Sequence, residues 1–324
     1  MALERYGWGP FFQQQAGPQR RLKPGRVRLA TARRAHVFAA DRRVSVNLPR
    51  NVGPAAVGDW LLFEPRRRIA RQVLLRRNAL ARARPGRLAQ RQVLAANVDT
   101  AVILAGLDRE LRLRPIERYL ACALAADAEP VIVLNKADLC SDPAAEAAIV
   151  RRAEPRFPVV VTSATEGRGI AEVEALLRPG RTAALAGPSG VGKSSLVNAL
   201  VRSELLEVGA VRAQDRRGRH TTTRRELVLH PRGYLLMDIP GIRELLPWSS
   251  PGTVRRVFPE IARLGADCRY RNCTHRAEPE CSVRGAVRDG VVDADRLASF
   301  VQLLTEQHDL ERAINERSRG PRRP

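Results

Sequence analysis

The chain contains no run approaching the ~18 consecutive apolar residues that would span a bilayer. Its opening stretch, Met1 to Gln15, lacks the apolar core of a secretory signal, and together these absences predict a cytoplasmic protein that makes no membrane contact. Cysteine is scarce, with five in 324 residues. Three of them fall beside a histidine within residues 268–281, which argues against a disulfide framework and for a metal site. Cys122 and Cys140 lie alone in apolar segments and are expected to be ordinary core residues. Internal repeats are absent. Acidic residues are few where basic ones are dense: residues 1–98 hold 21 Arg/Lys against four Asp/Glu, so about +17 of the net +22 sits in the first third. That third suits a polyanion, although charge alone does not choose between RNA, DNA and an acidic surface, and Arg-rich composition also follows genomic base content.

What is present falls into zones. Residues 1–24 are rich in Gln, Pro and Arg without a period and read as a flexible leader. Over 25–92, short β-type runs such as Arg26–Ala30, Val44–Leu48 and Asp59–Phe63, broken by Gly53, Pro54, Gly58 and Pro65, predict a small five-stranded barrel. Trp60 and Phe63 could stack on bases, but Trp60-Leu61-Leu62-Phe63 is apolar enough to favour the core. Over 97–247, apolar strands alternate with amphipathic helices, the pattern of a mostly parallel α/β sheet. Residues 248–313 are helical around the cysteine cluster, and 314–324 form a basic tail.

The chemistry concentrates in the α/β zone. Gly187-Pro188-Ser189-Gly190-Val191-Gly192-Lys193-Ser194, between an apolar strand and the helix opening at Ser195, fits the phosphate-binding loop G-x-x-x-x-G-K-[ST]. Backbone N–H groups and a helix N-terminus meet phosphate oxygens there, Lys193 reaches the β and γ phosphates, and Ser194 ligates Mg²⁺. Asn135-Lys136-Ala137-Asp138 follows a strand and supplies a carboxylate for the two N–H donors of guanine's Watson–Crick edge. Adenine cannot match that pairing. Lys136 would cover the ring face, and a backbone N–H at Ser163-Ala164 would meet guanine O6. Asp238-Ile239-Pro240-Gly241 offers Asp238 to Mg²⁺ and the Gly241 N–H to the γ phosphate. Of Thr221, Thr222 and Thr223, one, taken as Thr222, completes the metal shell. Ile242 stands where many GTPases carry a water-orienting glutamine, so His220 becomes the candidate for that work, weighed against a structural or RNA-facing histidine.

These motifs run base-reading first and phosphate loop second, a circular permutation. The segment following Gly241 therefore leads directly into the C-terminal zone. There Cys268, Cys273, His275 and Cys281 supply three thiolates and an imidazole, a full tetrahedral set for one structural Zn²⁺. Arg269, Arg271, Arg276 and Arg284 surround it, so the metal could brace a loop touching nucleic acid.

The order of motifs, the barrel ahead of them and the cysteine cluster behind resemble the ribosome small-subunit-dependent GTPase family, also called RsgA or YjeQ, over about residues 25–310. The resemblance implies an N-terminal OB-fold, a circularly permuted P-loop GTPase domain and a C-terminal, mainly α zinc-binding domain. It also implies hydrolysis of GTP to GDP on the small ribosomal subunit and its rRNA late in maturation, with His220 as the catalytic histidine. The protein is expected to act as a monomer. Competing readings are a nucleic-acid-binding module with nucleotide as a structural ligand, and a P-loop small-molecule kinase that would leave Asn135–Asp138 unexplained.

Overall fold

The computed structural model describes residues 3–18, 21–40, 42–208, 225–239 and 246–318. The segment before the barrel departs from the expected flexible leader, because Pro10–Ala16 form a helix, α1, with Pro10 in the first turn. The cause is aromatic burial. Tyr6 stacks on Phe38 at 4.8 Å, Trp8 meets Trp60 edge-on at 4.7 Å, and Phe12 is almost wholly buried. Composition without a helical period concealed three anchors.

The barrel follows as β1 (Lys23–Ala30), β2 (Arg34–Ala39), β3 (Arg42–Asn47), β4 (Trp60–Glu64) and β5 (Ile69–Val73), closed in the order β1-β2-β3-β5-β4. Closure removes free edges, and register shifts at Val27/Leu29 and Leu62/Phe63 supply the bends it needs. Val27, Val37, Val46, Leu61 and Phe63 fill the interior. Trp60 points to the aromatic cluster of α1 instead, which explains why β4 is apolar on both faces. Both Trp60 and Phe63 are core, as the apolar run suggested.

A hairpin of β6 (Ala79–Arg84) and β7 (Arg87–Ala96) comes next. The α/β zone then runs β8 (Thr100–Gly106), α2 (Leu113–Ala125), β9 (Glu129–Asn135), α3 (Pro143–Ala153), β10 (Val159–Val161), α4 (Ile170–Ala175), β11 (Thr182–Ala186), α5 (Lys193–Val208), β12 (Leu227–Leu229) and β13 (Leu235–Asp238). The six strands pair in the order β10-β9-β8-β11-β13-β12, all parallel except β12. The chain thus lays down β8, β9 and β10 first and only later inserts β11 between β8 and β13, which is the permutation expressed as topology. Helix starts obey local rules: Asp142 caps α3 by accepting from Ala145 N–H at 2.9 Å, with Pro143 following.

The C-terminal helices are α6 (Pro251–Val257), α7 (Pro259–Ala266), α8 (Ser282–Arg288) and α9 (Ala294–Ser318). The basic tail expected from residue 314 is helix as far as Ser318. The chain divides into two compact units, residues 1–80, 93–111 and 128–243 in one, and 81–92, 112–127 and 244–324 in the other. Two segments therefore leave the expected sequential domains. The hairpin tip and α2 group with the C-terminal helices, through Ala83 N–H to Leu246 O at 3.0 Å and Arg118 to Glu306.

Within the first unit Arg26 is a fully buried charge. Arg26 on β1 donates to Asn97 O and to Thr182 Oγ1, both at 3.1 Å, lies over Trp60, and leaves Nε and Nη1 without partners among the described residues. Burial pushes its pKa down to about 9.

Candidate functional site

Parallel strands aim their carboxyl ends at one edge of a sheet, where α/β proteins bind ligands. Here that edge gathers residues from β9, β10, β11 and β13. The loop from Gly187 to Gly192 leaves β11 and enters α5 at Lys193. A Cβ on Gly192 would sit 2.2 Å from Asn135 Nδ2, and its φ is +91°, so only glycine lets loop and base-reading segment meet so closely. Lys193 is buried, and its Nζ donates to Gly187 O at 2.9 Å and Pro188 O at 2.7 Å. Burial pulls the pKa of this ammonium below its usual value, and nearby Asp238 works in the opposite direction. Ser189, Gly190, Ser194 and Ser195 are exposed, while Val191 packs into the core.

Asn135, buried at the end of β9, ties three motifs together. Its Nδ2 donates to Val191 O at 3.0 Å, and its Oδ1 accepts from Thr162 Oγ1 at 3.0 Å and Ala164 N–H at 3.2 Å. Phosphate loop, base-reading segment and Ser163-Ala164 thereby hold one arrangement. Lys136 takes a left-handed φ of +68°. Asp138 is exposed, and Oδ1 accepts from the buried Ser163 hydroxyl at 2.6 Å. That bond holds the Asp138 carboxyl below its ordinary pKa, so it is an anion at neutral pH.

At the end of β13, Asp238 Oδ2 accepts from Ser194 Oγ at 2.8 Å, and its Oδ1 is buried with no partner among the described residues. A buried, orphaned carboxylate oxygen beside the loop hydroxyl is a donor set that suits a hard divalent cation such as Mg²⁺. His220, Thr222, Gly241 and Ile242 lie outside the described residues.

In the second unit, Cys268, Cys273, His275 and Cys281 bring their ligand atoms within 4.8 Å of one another. His275 Nδ1 is 3.6 Å from Cys268 Sγ and 3.4 Å from Cys281 Sγ, so Nδ1 faces the thiols. Three sulfurs and one nitrogen converging this closely fit one tetrahedral Zn²⁺. A residue the spacing did not reveal organises the loop. Glu278 accepts from Thr274 Oγ1 at 2.6 Å, Thr274 N–H at 2.7 Å, Arg276 N–H at 3.0 Å and Ala277 N–H at 3.2 Å. The Thr274 hydroxyl leads these bonds in holding its carboxyl far below the usual carboxylate range. Elemental analysis should find one zinc per chain, and Cys281→Ser should lower zinc retention under a competing chelator by about tenfold or more.

Fold and site together define a P-loop GTPase with a permuted strand order. The RsgA GTPase family matches residues 73–248. The chain is 44% identical over 297 residues to the small ribosomal subunit biogenesis GTPase RsgA of Opitutus terrae, covering 90% of this chain and 78% of that one. It is 38% identical over 331 residues to the protein of the same name from Streptomyces coelicolor, covering 98% and 90%. Among solved structures, the crystal structure of YjeQ from Thermotoga maritima superposes with a TM-score of 0.64 at 25% identity, over 89% of this chain and 99% of that one. The chain belongs to the RsgA GTPase family and is a GTP hydrolase.

Proposed function

We propose that this GTPase acts on the small ribosomal subunit and its rRNA as a late-stage maturation checkpoint, as a cytoplasmic monomer cycling between GTP and GDP without attachment to a membrane. The observation that carries the reading is Asn135, whose three bonds join a phosphate loop to a guanine-type segment in a chain similar over nine-tenths of its length to relatives named for small-subunit biogenesis. The basic first third, with its closed barrel, supplies the surface for RNA. No helix among the described residues is long and apolar enough to cross a membrane.

In this reading Asp138 accepts from the guanine edge, Lys136 lies along the base, and Ser163-Ala164 faces O6. Amides from Gly187 to Ser195 surround the phosphates, with Lys193 at the β and γ positions. Ser194, Thr222 and Asp238 would hold Mg²⁺, which neutralises phosphate charge when bound. Gly241 senses the γ phosphate through its N–H, and His220 orients the attacking water because Ile242 can neither donate nor accept a hydrogen bond.

GTP turnover titrated with purified small subunits tests the proposal. Strong stimulation is expected, and His220→Ala should lower stimulated turnover by about tenfold or more while nucleotide affinity stays near the parent's. Turnover indifferent to small subunits would leave the checkpoint role without support, and an unimpaired His220→Ala would remove that residue from catalysis.

A further inference from the structure

Lys136 is the residue of the base-reading segment whose side chain has the least inherent direction. It is a flexible four-carbon stem on a backbone in the left-handed region. Its Nζ nevertheless has a definite address, donating to Asp108 Oδ2 at 2.8 Å. Asp108 sits just past β8, outside every nucleotide-binding motif. The backbone brings it there: Leu107 N–H donates to Asn135 O at 2.8 Å, which ties the end of β8 to the turn carrying Lys136. Gly106 makes room, because a Cβ at that position would lie 2.5 Å from Asp108 Oδ1 and 3.8 Å from Lys136 Cδ. The pair is partly sheltered, with side-chain exposures of 25% for Lys136 and 20% for Asp108. The hydrogen bond from Lys136 holds the Asp108 carboxyl below its usual pKa, so it is an anion at neutral pH.

We propose that Asp108 is a positioning residue for nucleotide binding, drawing the Lys136 stem into the line it needs to cover the purine face before the base arrives. This rests on the reading of Asn135 to Asp138 as the base pocket. Fixing the stem beforehand removes rotamer entropy that binding would otherwise have to supply. The ring face is common to all purines, so the effect falls on affinity without choosing among bases.

The test is a double-mutant cycle on fluorescent GDP and IDP affinities in the full-length protein. Asp108→Ala should weaken both nucleotides by the same factor, about fivefold for a partly exposed charge pair. Asp108→Asn, isosteric and still an acceptor, should fall between the parent and Asp108→Ala, and it keeps the cycle available if the alanine variant folds poorly. In a Lys136→Met background, which keeps the stem's apolar bulk and removes its charge, Asp108→Ala should cause no further loss. An equal loss with and without Lys136, or no loss in the parent, overturns the assignment. Asp138→Asn, measured alongside, separates the two ideas: if it fails to change base preference, the pocket reading falls and Asp108 with it. If it switches normally while the cycle shows no coupling, only the role of Asp108 falls.

Discussion

Asp138→Asn should turn the preference of this protein from guanine toward xanthine, with GDP affinity falling on the order of a hundredfold. The carboxylate stands exposed at the carboxyl ends of the strands, with one oxygen anchored by the Ser163 hydroxyl at 2.6 Å. Guanine presents two N–H donors to such a group, whereas xanthine replaces the exocyclic amine with a carbonyl. An amide at position 138 sets its N–H₂ against guanine's own amine, an unsatisfiable pairing, and against a carbonyl in xanthine, a good one. Affinities for GDP and XDP measured by competition against a fluorescent nucleotide give the ratio directly. A variant that still ranks GDP above XDP by the parent's margin would remove Asp138 from base recognition. Ser163→Ala should weaken GDP in the same direction by a smaller factor, since it frees the carboxylate without removing it.

That the strand-end motifs come together could be read from sequence for a physical reason. Asn135 to Asp138, Gly187 to Ser194 and Asp238 each follow an apolar strand, and a parallel sheet places all strand ends on one side, so contiguous motifs become neighbours without any long-range pairing having to be guessed. The cluster of three cysteines and a histidine that suits zinc was legible for a related reason, because four metal-ligating side chains within residues 268–281 have few other uses. What stayed hidden depends on partners far apart in sequence. Asp108 meets Lys136 across two strands, and Glu278 serves backbone amides that carry no residue signature. The segment before the barrel, polar on average, is fixed by Tyr6, Trp8 and Phe12, and nothing in its own period shows that Phe38 and Trp60 await them. The division into units was the least accessible feature. Helix α2 meets the C-terminal helices through partners far away in sequence, among them a buried ion pair between residues 117 and 296.

That pair carries the second large expected effect. Arg296 on α9 donates through Nη1 to Glu117 Oε1 at 2.8 Å, through Nε to Glu260 Oε1 at 2.9 Å and through Nη2 to Val257 O at 3.2 Å, while its guanidinium lies over the Phe258 ring at 4.5 Å. Ser299 Oγ donates to the other oxygen of Glu117. Glu117 is 1% exposed and Arg296 7%, so neither charge can fall back on water. Arg296→Met keeps the apolar length and strands a buried carboxylate, which should cost about 3–5 kcal/mol of the second unit's stability. Urea denaturation followed by circular dichroism should then show an early transition for that unit. Replacing both charges, Glu117→Leu with Arg296→Met, should recover most of the loss, because attraction between buried charges little more than balances their desolvation. If the single variant loses less than about 1 kcal/mol, the network is better hydrated than its burial implies; if the double variant is as unstable as the single, its value lies in the bonds to Glu260, Ser299 and Val257 rather than in charge compensation.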